Sequence, residues 1–562
     1  MINLECKILI GGEAGQGIQT ISNILSKYFY RMGYYVYTLE SYMSRIRGGH
    51  NFSLIRISED PIFAIDDNSI DILIALNNET IELHKDEVKE SGYIICDEGI
   101  RGDFSSAQII EIPIGKTALE VAKTRVVENT VVCGFLVEVS YGDLKEMEKV
   151  ITDSFRQEDV EKNIKAVEAG YNLALNLGKK CKAFVKRERK GGLLINGGEA
   201  VGFGAMVAGC KLLASYPMTP GTAVMNFLAE HEVDFDMVVE QAEDEIAAIN
   251  MAIGGFFAGA RSMVTTSGGG FALMVEGLSL SGMTETPVVI HIAQRPGPAT
   301  GLPTRTEQGD LNFVVHTGHG EFPRYVTAAK DQKDAFYKTI KAFEMAEKYQ
   351  IPAIILTDQY LIDSKAVLDS LEPPDIKYYR IKGDKDYIRH KVTENGISPF
   401  AIPGEFEGLV ITDSDEHDEE GHITEDLSIR KMMVEKRMRK FEELKKDIEE
   451  PFYFGVEDPE VVFIGWGSTY GVIKEGIEKL MKKGYRIGHL HFSDVYPVPD
   501  KTLKEFQNKR LYTIEQNYQG QFAGLIRKET GIKVEKGIVK YNGKPFYVED
   551  IIKGVEKIMG WD

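Results

Sequence analysis

The rhythm of apolar and polar positions changes several times along this chain. From residue 1 to about 180, short β-rich apolar runs at 7–11, 35–39, 71–76, 93–96 and 109–114 are separated by stretches with helical spacing. That alternation predicts an α/β layer with a mostly parallel sheet. The polar, basic stretch Lys179-Lys180-Cys181-Lys182, with Lys186 to Gly192 after it, carries no apolar period and reads as a linker. A second α/β unit is predicted over about 193–368, with strands at 214–216, 262–266, 288–293 and 353–357 and glycine-rich turns. Beyond Leu371-Glu372-Pro373-Pro374 the pattern loosens. Thr412 to His422 reads as acidic and exposed, and a charged helix is predicted over about 428–449. A last small α/β unit opens with Val461-Val462-Phe463-Ile464-Gly465-Trp466-Gly467-Ser468, continues as a helix to Lys483, and adds strands at 486–492 and 510–515. The expected division is 1–185, 193–370, a charged linker region at 371–457, and 458–562.

Length supports this partition, because 562 residues suffice for about three or four domains that each bury a core. No apolar run approaches the roughly 20 residues that span a bilayer, and Met1 leads directly into the strand-like Cys6 to Ile10, so a cytoplasmic location is expected. A net charge of −20 repels phosphate backbones and anionic lipid, which argues against nucleic acid or membrane as partner. An anionic substrate therefore needs arginines placed locally. The five cysteines, Cys6, Cys96, Cys133, Cys181 and Cys210, lack the spacing of a zinc or iron–sulfur site, so no metal is expected on this chain. His417 and His422 sit in the acidic run and read as part of a solvated surface. His489 and His491 alternate on a predicted strand, which predicts one buried and one exposed ring with no chemical role.

Candidate chemistry begins at Gly11-Gly12-Glu13-Ala14-Gly15-Gln16-Gly17-Ile18, between a strand and a helix. Its glycines either permit a tight turn or let Gly15 and Gly17 present amides to a phosphate. Arg45 and Arg47, with Gly48-Gly49, form either a second anion site or a solvated basic loop. The second unit is more informative. Ser215-Tyr216-Pro217-Met218-Thr219-Pro220-Gly221-Thr222 is a proline-stiffened turn after a strand, where α/β folds bind ligands. Val238-Val239-Glu240-Gln241-Ala242-Glu243-Asp244-Glu245 opens a small-residue helix. Glu243 and Asp244 suit the helix dipole, while the apolar run after Glu245 can hold its carboxylate in a dry interface. Thr265-Thr266-Ser267-Gly268-Gly269-Gly270 lets backbone approach a planar or anionic ligand closely, or makes a sharp packed turn. Arg295 and Arg305 lie in a loop stiffened by Gly and Pro from Ala293 to Asp310, suited to a carboxylate substrate.

These four segments, read as Y-P-x-T-P, Q-A-E-D-E, T-T-S-G-x-G and G-L-P-T-R-x-E-Q, resemble the pyrimidine-binding domain of the 2-oxoacid:ferredoxin oxidoreductases. Met218 stands where the family often has isoleucine, and Gly221 where serine is common. Gly11 to Gly17, Ser41-Tyr42 and Arg47-Gly48-Gly49 resemble the family's gamma domain, here fused ahead of the alpha domain. The segment from 458, with Glu515-Gln516-Asn517 and Gly520-Gln521, resembles the transketolase-type C-terminal domain.

The resemblance implies a multidomain α/β chain: a gamma-type domain, a thiamine-diphosphate pyrimidine fold and a transketolase C-terminal-like domain. It implies a fused gamma–alpha subunit that oxidatively decarboxylates a 2-oxoacid, 2-oxoglutarate being favoured, to acyl-CoA and CO2 with electrons to ferredoxin. By position, Glu245 would hydrogen-bond the aminopyrimidine, with Glu240 a weaker candidate, and Ser267, Gly268 and Gly270 would hold the cofactor. Tyr216, Pro217, Thr219 and Arg295 would bind the substrate, with Arg305 as a second anion contact, and Gly15, Gly17 and Arg47 are the candidate CoA contacts. The chain lacks the family's G-D-G magnesium motif and any cluster cysteines; Asp310 does not supply that motif. Mg2+, the diphosphate and a 4Fe–4S cluster are therefore expected on a beta subunit, in a heterodimer or dimer of heterodimers. The competing expectations are a non-catalytic nucleotide-binding scaffold and a family member acting on pyruvate, branched-chain or aryl oxoacids.

Overall fold

The β-rich runs all become strands, shifted at their ends by a few residues, in a computed structural model that describes residues 4–44, 49–100, 108–188 and 191–560. The chain divides into two units, Met1–Ile195 with Ser364–Ser370, and Asn196–Asp363 with Leu371–Asp562.

In the first unit β1 (Glu5–Glu13), β2 (Tyr35–Ser41), β3 (His50–Ser58), β4 (Ile70–Ala75), β5 (Val88–Asp97), β6 (Gln108–Ile112) and β7 (Leu193–Asn196) join the strand Lys365–Leu368 in one sheet. The order is β6-β5-β4-β1-β3-β2, then Lys365–Leu368, then β7. Strands β1, β4, β5 and β6 are parallel, as the βα alternation predicts. The expectation of a mostly parallel sheet fails at β3, which runs antiparallel to both β1 and β2. Asn51, Ser53 and Arg56 interrupt its apolar run and hide it from a hydrophobic reading. Arg56 is nevertheless buried, because its Nε bonds Glu5 at 2.7 Å and its Nη1 bonds the Ala64 carbonyl at 2.5 Å.

The second unit holds β8 (Leu212–Ser215), β9 (Val238–Gln241), β10 (Ser262–Thr266), β11 (Val288–Gln294), β12 (Tyr325–Ala328) and β13 (Pro352–Asp358). They pair in the order β12-β13-β11-β10-β8-β9, all parallel, with Asp494–Tyr496 added antiparallel at the β12 edge. β10, β11 and β13 are buried along their whole length, which is why they read as mainly apolar runs with few polar residues. His291 sits in the middle of this sheet. Its Nδ1 meets Thr265 Oγ1 and its Nε2 meets Thr357 Oγ1, each at 2.8 Å, so one ring ties three strands close to the ends that carry the site. Burial pushes this imidazole down to about 3, so it is neutral at ordinary pH.

A five-stranded sheet closes the second unit in the order Phe452–Gly455, Ile487–Phe492, Val461–Trp466, Arg510–Glu515, Glu535–Val539. It shares one apolar cluster with the larger sheet. His489 and His491 are both buried, not one in and one out, because their strand is covered on both faces. The acidic stretch around 412–422 is likewise less exposed than its composition predicts. Glu416 pairs with Arg437 at 2.8 Å and Arg430 at 2.5 Å from the helix Leu427–Leu444, and His417 is buried against His390. Glu285 adds a buried ion pair to Lys436 and another to Lys440 of the same helix, so charge pairing folds this excursion onto the unit where apolar periodicity is weak.

Candidate active site

Parallel strands deliver their carboxyl ends to one edge of a sheet, and the loops that follow β8, β9, β10 and β11 carry the residues singled out by sequence. After β9, Asp244 caps the helix Glu245–Phe257 by accepting from the Ala247 amide at 2.7 Å, which leaves Glu245 as the first helical residue. Its side chain turns inward. Glu245 is 3% exposed, and its Oε1 is buried with no hydrogen-bond partner. The exposed Glu240, on β9, lacks that setting.

The turn after β10 explains how the carboxylate fits. A β-carbon on Gly270 would stand 2.6 Å from Glu245 Oε1 and would collide with Thr266 Oγ1, so this position must be glycine. A β-carbon on Gly268 would collide with both carboxylate oxygens of Asp310. The turn is therefore a bare strip of backbone between two acids. Ser267, at its start, is fully buried with an unpartnered Oγ.

At the end of β11, Arg295 is buried and donates Nη1 to the Thr219 carbonyl at 2.6 Å, which ties the β8 turn to the β11 loop. Its Nε has no partner. Thr219 is half-buried, and Tyr216 and Pro217 stand exposed at the rim. Arg305 is half-buried; the chain around it is pinned by Leu302 N to the Pro296 carbonyl at 3.0 Å and Thr306 N to the Gly543 carbonyl at 3.2 Å. The E-Q pair of that loop divides its work. Gln308 exchanges bonds with Gln516, 2.7 Å from its own amide and 3.0 Å to its Oε1, and donates Nε2 to the Trp466 carbonyl at 2.8 Å. It is a seam to the C-terminal sheet. Burial pushes the Glu307 carboxyl up to about 6, with Asp310 adding to the shift.

Four buried polar atoms thus lack partners around one glycine turn: Glu245 Oε1, Ser267 Oγ, Arg295 Nε and Asp310 Oδ2. Orphaned polar groups are costly in a folded protein, and a charged one costs several kcal/mol, so they mark places where a ligand completes the structure. A heteroaromatic ring with hydrogen-bond donors fits Glu245 and Ser267, and a carboxylate fits Arg295. Sequence reasoning set Asp310 aside; the signal for it was a carboxylate following two arginines and a Gly in the same loop.

In the first unit a cavity of about 380 Å³ is lined by Gly15, Gly17, Thr20, Ser41, Tyr42 and Asn51 among others. Gly15 has φ 93° and Gly17 φ 75°, conformations that favour glycine, and Gly17 opens the helix Ile18–Arg31 with no side-chain cap. Arg45, Arg47 and Gly48 lie outside the described residues. Among the described residues no group of three or more His, Cys, Asp or Glu could hold a metal ion, and no helix is long and apolar enough to cross a membrane.

Comparison with known proteins decides the family. Residues 203–436 match the family described as pyruvate flavodoxin/ferredoxin oxidoreductase, thiamine diphosphate-binding; residues 7–173 match pyruvate ferredoxin/flavodoxin oxidoreductase; residues 459–551 match pyruvate:ferredoxin oxidoreductase core domain II. A 2-oxoacid:ferredoxin oxidoreductase subunit alpha from a Sulfolobus species is 34% identical over 98% of this chain and 96% of its own. The chain belongs to the 2-oxoacid:ferredoxin oxidoreductases. Among its relatives in this oxidoreductase family, a 2-oxoglutarate synthase subunit KorA from Archaeoglobus fulgidus is 33% identical over 65% of this chain and 98% of its own. The structure of a 2-oxoglutarate:ferredoxin oxidoreductase from Magnetococcus marinus, with 2-oxoglutarate, coenzyme A and succinyl-CoA bound, is similar with a TM-score of 0.90 and 32% identity, covering 98% of this chain and 99% of that one. The oxidoreductase is thus a multidomain α/β subunit of a multi-subunit, ferredoxin-linked enzyme, and Thr219, Glu245, Ser267, Arg295 and Arg305 all fall in the segment matched by the thiamine diphosphate-binding family.

Proposed function

We propose that this chain is the fused gamma–alpha subunit of a 2-oxoglutarate:ferredoxin oxidoreductase, which converts a 2-oxoacid and CoA to an acyl-CoA and CO2 with electrons passing to ferredoxin. The observation that carries the proposal is the unpartnered, buried Glu245 Oε1 on one side of the glycine turn with the buried Arg295 tied to Thr219 at the next strand end. The choice of 2-oxoglutarate among oxoacids rests on the Magnetococcus and Archaeoglobus relatives. Thiamine diphosphate, when bound, supplies the electron sink that lets a carboxylate leave as CO2.

Each residue then has a task. Glu245 holds a proton for exchange with the cofactor's ring at Oε1, and Ser267, Gly268 and Gly270 line the ring. Arg295 and Thr219 orient the substrate carboxylate, with Arg305 as a second anion contact and Tyr216 and Pro217 as the wall. Because CO2 leaves from the group Arg295 holds, its work is orientation and not proton transfer. Gly15 and Gly17, with Arg47, are assigned to CoA, whose phosphates suit helix-terminal amides.

Mg2+, the diphosphate contacts and a 4Fe–4S cluster are assigned to a beta subunit. Ile246 and Met251, exposed on the helix Glu245–Phe257, and Leu273, exposed after the glycine turn, are the apolar contacts proposed for it. The segments 1–185, 193–370 and 458–562 serve as gamma, pyrimidine and C-terminal domains in this scheme, with 371–457 joining the last two. The test is anaerobic co-expression with a candidate beta chain, followed by reduction of a viologen dye with CoA and 2-oxoglutarate, pyruvate or a branched-chain oxoacid. Reduction fastest with 2-oxoglutarate supports the proposal; a faster rate with another oxoacid replaces the substrate, and no reduction with any by a loaded complex rejects the function.

A further inference from the structure

Asp310 stands at the N-cap of the short helix Leu311–His316, yet its carboxylate makes no capping bond. At that position an aspartate ordinarily accepts from the first helical amides. Here the side chain instead turns back against Gly268, which has room for it only because it is glycine. The backbone holds it there: the Asp310 amide donates to Gln294 Oε1 at 3.0 Å, and Gln294 is itself fixed by its Nε2 bond to the Thr357 carbonyl at 3.1 Å. Gln294 precedes Arg295, so the acid is registered to the arginine through one rigid residue. Asp310 Oδ2 and Arg295 Nε are both buried and both unpartnered, so the arginine is balanced at a distance and not bonded.

We propose that Asp310 is a positioning residue for the oxoacid, acting through Arg295: it balances the guanidinium in the free enzyme and takes one proton from solvent when the substrate carboxylate arrives beside Arg295. This rests on the proposed function. Two carboxylates cannot both keep full charge against one buried guanidinium, and the one already attached to the protein is the one that can change its charge at low cost. Burial already pushes the Asp310 carboxyl up to about 6, against the pull of Arg295. The charged and titratable groups around it are Arg295 at the end of β11, Glu307 on its own loop, and Glu245 on the far side of the glycine turn; the turn itself contributes only Ser267 and glycines. An incoming anion raises the Asp310 value further, so binding is strongest below the free value and weakens by about tenfold per pH unit above it, until the bound value is reached.

The test uses the complete complex with its beta subunit. In the wild type the KM for the oxoacid rises with pH above about 6 while kcat does not follow the same curve. In Asp310→Asn the slope disappears and KM at pH 8 falls several-fold below the wild-type value, a change that a merely structural role does not produce. Calorimetry of the wild-type complex binding N-oxalylglycine, an unreactive analogue of 2-oxoglutarate, in two buffers of different ionisation enthalpy needs no variant and reads uptake of the proton directly. Binding without proton uptake, or an unchanged KM slope in Asp310→Asn, overturns this inference and leaves the proposed function standing. No binding of the analogue and no turnover of any oxoacid overturns both.

Discussion

Gly270 and Glu245 are fitted to one another: a β-carbon on the glycine would stand 2.6 Å from Oε1 of the acid, the carboxylate oxygen that is buried without a hydrogen-bond partner. The glycine turn after β10 is therefore the mould for the carboxylate that opens the helix after β9. Four neighbouring parallel strands, β11, β10, β8 and β9, each carry one short motif at this edge of the sheet.

Glu245→Gln removes the charge and keeps the shape. The expected result is loss of oxoacid-dependent dye reduction by at least about a hundredfold, the lower bound for a lost proton-transfer group. Thermal unfolding should leave stability unchanged or slightly raised, because a buried carboxylate without a donor is a liability in the folded chain. A drop in both activity and Tm would instead assign Glu245 to the scaffold.

Arg295→Lys retains a positive charge but gives up the planar fork and the 2.6 Å bond to the Thr219 carbonyl. The expected outcome is a rise in KM for the oxoacid of about tenfold to a hundredfold, equivalent to about 1.5–3 kcal/mol for one charge-assisted hydrogen bond, with a smaller change in kcat. Steady-state kinetics on the assembled complex measures the split.

Glu285 concerns stability alone. Burial works against its charge, and Lys436 and Lys440 nevertheless hold its carboxyl well below the usual carboxylate range. Glu285→Gln leaves those cations buried without their counter-charge and should cost about 3–5 kcal/mol, read as a fall in denaturant midpoint, with the KM of the surviving enzyme unchanged.

Acid should destabilise the fold through its buried histidines. Burial pushes His489 down from 6.5 to about 4 and His291 to about 3. Such a group binds its proton in the unfolded chain first, so its contribution is intact above pH 6.5 and is lost as pH falls toward the folded value, at about 1.4 kcal/mol per pH unit for each ring. Chemical denaturation at a series of pH values should show this decline, and His489→Gln should reduce its slope by that ring's share, about 1.4 kcal/mol per pH unit, leaving the His291 share in place.

How much of this was legible beforehand follows from which forces wrote each element. β10, β11 and β13 were legible because strands buried on both faces are mainly apolar, and the parallel order then placed the motifs of Thr219, Glu245, Ser267 and Arg295 at one edge. β3 was not, because Arg56 and Ser53 are buried by polar partners that no hydrophobic pattern reports. The same reason hid Glu416 and His417, whose burial depends on Arg430, Arg437 and a ring contact far along the chain. His489 and His491 misled because alternation predicts one exposed face, and that strand has none. Asp310 escaped because its role is set by Gly268 and Gln294, which lie 42 and 16 positions earlier.

The most direct measurement is CoA-dependent reduction of a viologen dye by the anaerobic complex of this chain with its proposed beta subunit, wild type beside Glu245→Ala. If Glu245 takes part in the chemistry, the wild-type pair shows oxoacid-dependent reduction and the variant none above background, with both complexes equally assembled. Equal rates in the two would contradict it, because the unpartnered carboxylate at the glycine turn would then have no part in the chemistry.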